Sequence, residues 1–372
     1  MGDRSGIEWT DATWNPIRAR NLGTGRVGHW CVHASEGCRN CYSEAMQGRL
    51  FGNPVQFRAQ DRDKVELFLD EEKLLQPLRW KRPRVIFPCS TTDLFGEWVP
   101  DEWLDRIWAV MALARHHTFL PLTKRPDRMR EYLTGIMDGD RRLDGDELRA
   151  ALIEGTAQSI YASRTGEDPA PWLAAHLPLS NVGLGVSIED QRAADKRLPD
   201  LFASPAAWQW ASYEPALGPV DFAPFLPGYE CSVECGWRSI DPPPEERCDH
   251  CGWQGKAPEF CPECGYQLGT AVCPRCDSRA VYQHPDTQSL DWIVVGGESG
   301  PGARYCHYAW VRSIVGQCRA AGVPVFVKQL GARPVGDLGG FPSFRNRKGA
   351  DMAEWPEDLR VREFPPSMAV SA

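Results

Sequence analysis

Leu290-Asp291-Trp292-Ile293-Val294-Val295-Gly296-Gly297 is the stretch from which the fold can be read. Four bulky apolar residues stand between a polar start and a glycine stop. Such a run suits a short strand buried on both faces, as in a parallel sheet. Similar runs recur at Arg84–Ser90, Thr118–Lys124, Asn181–Ser187, Ala207–Ser212 and Pro324–Gln329. Helical patterns fall between them, at 101–116, 126–137, 143–164, 189–203 and 307–321. Pro126 is well placed at a first helical position. Alternating strands and helices imply a parallel sheet with right-handed crossovers. With a further strand expected before Cys31, six or seven βα units are expected. The fold class is therefore α/β: a TIM-like (βα) barrel, complete or incomplete. An open doubly wound sheet is the second choice.

The chain has 372 residues, which suits one large domain and a small one. Hydrophobic residues make up 42% and charged residues 25%, so wholesale disorder is excluded. No run of about 18 apolar residues occurs, so no membrane span is expected. The first residues lead into no apolar stretch, and a cytoplasmic location is expected. The net charge of −8 excludes a strongly basic coat, although the run Arg79-Trp80-Lys81-Arg82-Pro83-Arg84 is locally basic. The acidic stretch Asp138–Glu147 fails as an EF-hand loop, because its sixth position is Leu143 rather than glycine, and reads as a turn before a helix.

Fourteen cysteines do not suit disulfides in a reducing compartment and point to metal or cluster ligation. Eight lie in an insertion, 226–286, that breaks the strand–helix rhythm. Their pairs are Cys231-x3-Cys235, Cys248-x2-Cys251, Cys261-x2-Cys264 and Cys273-x2-Cys276. Two such pairs complete a tetrahedral four-sulfur site, so two zinc ions are expected in a double zinc ribbon. Sequential pairing is the simpler arrangement; an interleaved one is also open. Sixty residues hold too small a core to fold without staples, so structural zinc is the plainer role and substrate reading the sharper one. The barrel would then comprise 1–225 and 287–345. Residues 346–372 form a tail, expected to be loosely ordered from about 350.

Three more cysteines stand at Cys31-x6-Cys38-x2-Cys41. Three thiolates leave one coordination position open for substrate or cofactor. A zinc site completed by His29 or His33, or three reduced structural thiols, would also fit. Polar residues follow nearly every strand: Ser90 and Asp93, Lys124, Glu189, Glu214, Glu298 and Lys328. At the C-terminal ends of barrel strands such residues would line one polar pocket. Cys89 and Cys306 read as buried small residues or, more sharply, as hydrogen-atom donors.

Several segments together carry a resemblance. They are Ile7–Thr10, Thr13–Pro16, Gly37–Tyr42, Asp93–Glu97, Leu122–Pro126, Gly185–Gln191, Glu214-Pro215 with Leu217–Val220, and Gly296–Gly300. On these the chain resembles a phage-associated, three-cysteine-motif family of unknown function that looks like radical SAM enzymes. The resemblance covers most of 6–331 outside the insertion. It implies a 4Fe-4S cluster on Cys31, Cys38 and Cys41, with S-adenosylmethionine on the unique iron. One-electron reduction by an external electron donor would release a 5′-deoxyadenosyl radical. The first interval is six residues rather than the usual three, and Tyr42 follows the last cysteine rather than standing between the final pair. Gly296-Gly297-Glu298 matches a segment that binds the methionyl amino group, though a tight turn also explains the glycines. Tyr42, Ser90 and Asp93 are the other expected cofactor contacts. Lys124, Glu189, Glu214 and Lys328 are the candidates for substrate binding or proton transfer. The phage context implies chemistry on DNA or RNA, either base modification or lesion repair. Two alternatives stand beside it: a zinc-only nucleic-acid-binding or adaptor protein, and a zinc-dependent hydrolase.

Overall fold

A computed structural model describes residues 5–52, 54–138, 141–167, 177–227 and 289–368, together with five short strands between 229 and 283. The strands of its main sheet are β1 (Ala12–Trp14), β2 (Val85–Pro88), β3 (Thr118–Phe119), β4 (Leu122–Thr123), β5 (Gly183–Ile188), β6 (Trp208–Tyr213), β7 (Trp292–Gly296) and β8 (Val325–Gln329). β1, β2 and β3 pair in parallel, and so do β4 through β8. A parallel bridge from Phe119 to Val182 joins the two sets. The strands therefore lie side by side in chain order, with β3 and β4 end to end in one position between β2 and β5. The expected strand 118–124 is split because Pro121 has no N–H to give the ladder.

Alternate residues of these strands face two different cores. Ile86, Val186, Ala211, Ile293 and Val327 face one that includes residues of every long helix. Those helices are α1 (Asp101–Leu113), α2 (Pro126–Leu133), α3 (Asp146–Thr165), α4 (Gln191–Phe202) and α5 (Tyr308–Ala321). Val85, Trp208, Trp210, Trp292, Val294 and Phe326 face the other, around Trp9. Helices on a single face are not the layout of a doubly wound sheet, which carries them on both. The Trp9 ring lies 5.1 Å from Phe87 on β2 and 6.3 Å from Trp292 on β7. In a flat sheet four strand spacings would be about 19 Å. The sheet therefore curls around Trp9, but no closed barrel is seen among the described residues.

Small residues make this curl possible. A Cβ on Gly183 would stand 2.3 Å from the Trp208 ring, and one on Gly185 the same distance from that of Trp210. The two indoles lie across β5 where side chains would otherwise project.

The count of βα units is corrected. Long helices follow β2, β4, β5 and β7, the last after the two-residue strand Cys306–His307, while the cysteine-rich insertion follows β6. α3 is an extra helix, introduced by the hairpin Gly135–Asp138/Arg141–Asp144, and packs on α1. Between β1 and β2 comes a small antiparallel sheet of Ile17–Asn21, Val27–Gly28 and Val65–Leu69, with the three-cysteine loop inside it in sequence. Within the insertion, Tyr229–Cys231 pairs antiparallel with Arg238–Ser239 and Val281–Gln283, and Glu246–Arg247 with Gln254–Gly255.

The tail is also corrected. Trp355, Leu359, Val361 and Met368 are buried. The backbone N–H groups of Val327 and Glu363 donate to Val361 and Val325, binding the tail along β8. Its apolar side chains are what hold it. No described helix is long and apolar enough to cross a membrane.

Candidate functional site

The three-cysteine loop follows the Val27–Gly28 strand of the small antiparallel sheet. It passes through a 3-10 turn at Glu36–Cys38 and ends with Cys41 as N-cap of the short helix Tyr42–Ala45. Two of the three sulfurs hydrogen-bond to the backbone. Ala34 donates to Cys38 Sγ at 3.4 Å. Cys31 Sγ donates to the Val32 carbonyl at 3.6 Å. Cys41 lies in electrostatic range of both Cys31 and Cys38. Burial pushes the Cys31 and Cys41 thiols up; Asp93 adds to this at Cys31 while Arg125 opposes it.

Groups at the ends of four strands hold this loop. After β2, Tyr42 OH donates to the Ser90 carbonyl, and Ser43 Oγ donates to that of Thr91 at 2.7 Å. After β4, Arg125 Nη2 donates to the Val32 carbonyl at 3.0 Å. After β5, Glu189 Oε1 accepts from Ser35 Oγ at 2.7 Å. Gly37 lies so close that a Cβ there would stand 2.4 Å from the same oxygen. After β7, Glu298 Oε2 accepts from Asn40 Nδ2 at 2.9 Å, and Arg304 Nη1 donates to the Glu36 carbonyl at 2.8 Å. Parallel strands in chain order bring all these ends to one side, which is why residues so distant in sequence meet here.

The same alternation that faces Trp208, Trp210 and Trp292 inward continues into polar residues. Along β4 it reaches Lys124, along β5 Ser187, along β6 Ser212 and along β8 Lys328. Lys124 Nζ donates to Ser187 Oγ at 2.6 Å and to Glu189 Oε1 at 2.5 Å. Arg197 from α4 donates to Glu189 Oε2 at 2.8 Å. Burial works to raise the Glu189 carboxyl, but Lys124 and Arg197 together outweigh it and hold it below the usual carboxylate range. Lys328 pairs with Glu214 at 2.9 Å.

The structure thus brings Lys124 and Glu189 into one cluster and Lys328 and Glu214 into another. It gives other expected residues more definite duties. Asp93 accepts from Thr123 Oγ1 at 2.6 Å, from the Lys124 N–H at 3.1 Å and from Arg125 Nη1 at 3.1 Å, so it ties the β2 and β4 ends together. Glu298 is held by Asn40 and by a two-pronged contact with Arg304, which keeps its carboxyl low against the opposing effect of burial. The preceding glycines answer to packing. A Cβ on Gly296 would stand 2.6 Å from Glu214 Oε1, and one on Gly297 2.6 Å from the Leu330 carbonyl. Ser90 Oγ donates to Asn15 Oδ1 at 3.3 Å. Cys89 and Cys306 are both buried, and burial pushes the Cys306 thiol up to about 12. Cys89 takes a left-handed φ of 54° at the turn out of β2, a conformation uncommon for a residue with a side chain.

The sequence reading missed Ser35, Asn40, Arg125, Arg197 and Arg304. Asn40 and Arg125 stood inside quoted motifs, between Cys38 and Cys41 and just before Pro126. Ser35 lies inside the Cys31-x6-Cys38 spacing, and Arg197 and Arg304 stand 8 and 6 residues after the glutamates they hold, a spacing that carries no signal of its own.

The donor set fits an iron–sulfur group in two respects: three free thiols share one loop, and Cys38 Sγ accepts a backbone N–H. Hydrogen bonds to the sulfurs are a recognised means of setting such a group's potential. Among the described residues no group of three or more His, Cys, Asp or Glu is already drawn together as metal ligands. Of the eight cysteines in the insertion, Cys231 is described only as a strand position. Cys235, Cys248, Cys251, Cys261, Cys264, Cys273 and Cys276 lie outside the described residues.

A family model described as "Protein of unknown function (DUF5131)" matches residues 4–355. No curated protein and no solved structure matches the chain.

Proposed function

We propose a function for a chain that belongs to the DUF5131 family, a family of unknown function: it is an iron–sulfur enzyme of the radical SAM type. The observation that carries this reading is the three-thiol loop seated across the polar ends of parallel strands. A 4Fe-4S cluster on Cys31, Cys38 and Cys41, with S-adenosylmethionine, would supply a 5′-deoxyadenosyl radical after one-electron reduction by an external donor.

The chain's own residues do the rest. Glu189 and Glu298 fix the loop over the sheet, acting as positioning residues. Asp93 and Arg125 set the charge beside Cys31. Lys124 and Lys328 place ammonium groups on the inward face, where they can hold an anionic group of a cofactor or substrate. In this reading the curled sheet is the wall of an incomplete barrel, and two zinc ions on the eight cysteines brace the insertion. The reading suits a reducing cytoplasm, that of a host cell if the chain is phage-encoded, and a nucleic acid or nucleotide as substrate.

The test is metal and sulfide analysis with an optical spectrum on anaerobically purified protein. Wild type is compared with Cys31→Ala/Cys38→Ala/Cys41→Ala. About four irons and four sulfides in wild type, lost in the variant while about two zincs stay, is the expected result. A colourless protein that takes up no iron on anaerobic reconstitution would overturn the reading.

A further inference from the structure

The basic run at 79–84 precedes β2 and so lies at the N-terminal ends of the strands, away from the three-cysteine loop. A second basic segment lies at the correct end. Residues 331–349 leave the C-terminal end of β8 and return, with Leu330 N–H donating to the Gly349 carbonyl at 2.9 Å. This loop holds four cations, Arg333, Arg345, Arg347 and Lys348, against one anion, Asp337. Asp337 is already paired with Arg312. The four cations are exposed and form no ion pair among the described residues, so a local surplus of positive charge stands out on a chain of net charge −8.

Two exposed rings accompany that charge. Tyr305 is 42% exposed and Phe341 67%, with ring centroids 5.5 Å apart. The Arg333 guanidinium lies 4.2 Å from the Tyr305 ring centre, and its Nη2 donates to Tyr305 OH at 2.7 Å. Tyr305 directly follows Arg304, which contacts Glu36 in the three-cysteine loop. The platform therefore adjoins the candidate site. Fixed rings with an arginine on one face and free cations nearby match what an unpaired base and its phosphates require.

We propose that Tyr305, Phe341 and Arg333 form a stacking platform for single-stranded nucleic acid, with Arg345, Arg347 and Lys348 holding its phosphates. This rests on the enzyme reading above, for which it names the substrate class. A duplex has its bases stacked already and offers the rings nothing to hold. The exposed Leu338 at the loop tip would suit a lipid surface as well, but a lipid gives no use to an arginine already stacked on a ring.

The test uses the full chain and fluorescence anisotropy with a labelled 12-nucleotide DNA strand, the RNA of the same sequence, and the 12-base-pair duplex. Single strands are expected to bind more tightly than duplex. Tyr305→Ala and Phe341→Ala should each weaken single-strand binding by about tenfold. Arg345→Ala/Arg347→Ala/Lys348→Ala should lower the salt slope by about 2. Lys81→Ala/Arg82→Ala, at the opposite end, should change neither. The triple cysteine variant should bind as wild type does, so that failure of the cluster reading and failure of this one are told apart. Equal or tighter duplex binding, unchanged binding by the ring variants, or sedimentation with anionic vesicles in place of oligonucleotide binding would each overturn the proposal.

Discussion

Ser35 and Glu189 are 154 residues apart in the chain, yet Ser35 Oγ donates to Glu189 Oε1 at 2.7 Å. The other Glu189 oxygen is held by Arg197, and Lys124 shares the first. One buried carboxylate thus joins the cysteine loop, the β4 end and α4. Its single negative charge faces two cations, so removing it would leave buried positive charge uncompensated.

Glu189→Gln should therefore leave Lys124 and Arg197 facing a neutral amide. Breaking a buried pair of this kind costs about 3–5 kcal/mol. Urea unfolding should show that loss, and iron retained after anaerobic desalting should fall with it. Unchanged stability would mean the cluster is not a support.

Asn40→Asp places a second carboxylate where Asn40 Nδ2 now donates to Glu298 at 2.9 Å. Repulsion should release the loop without unfolding the sheet. Hydrogen exchange is expected to quicken at 35–42 and stay slow in β5, β6 and β7. Protection of the loop equal to wild type would count against Glu298 as its anchor.

Two glycine substitutions should have opposite signs. Gly185→Ala drives a methyl to 2.3 Å from the Trp210 ring, and overpacking should cost about 1–3 kcal/mol. Gly316→Ala, on α5, meets nothing within 4 Å and should gain roughly 0.5–1 kcal/mol from helix propensity. Thermal melts of the pair decide this. Equal shifts would show that the indoles yield more readily than the geometry implies.

Acid should weaken the fold in a defined window. Burial, with help from Arg18, lowers His29 from 6.5 to about 4, so the folded chain keeps it neutral. Below pH 6.5 the unfolded chain binds the proton and the folded chain does not, so stability falls as pH falls, until about 4. His117 is lowered in the same sense, chiefly by burial. Glu189 and Glu298, held low, lose their contribution only further down, as pH falls through the carboxylate range. Urea midpoints for His29→Gln between pH 7 and 4 should show a flatter decline than wild type. A decline of the same slope would exclude His29 as a contributor.

Much of the parallel sheet was legible because each strand carries its own signal. Apolar runs of four to six residues, stopped by glycine or a polar residue, marked β2, β5, β6, β7 and β8 to within about two residues, and the start of α2 followed from Pro126. The tail misled because Trp355, Leu359 and Val361 are scattered among charged residues and show no period.

The sequence by itself determined which residues of each strand share a face, since alternation along a strand is a local property. It also determined that Lys124, Ser187, Ser212 and Lys328 each continue one such face. Only the tertiary structure decided which carboxylate would meet which cation, and that Glu189 and Glu298 would hold the cysteine loop. Those contacts depend on strand order and on the curl around Trp9, both set by packing between residues far apart in the chain, where no local pattern records the partner.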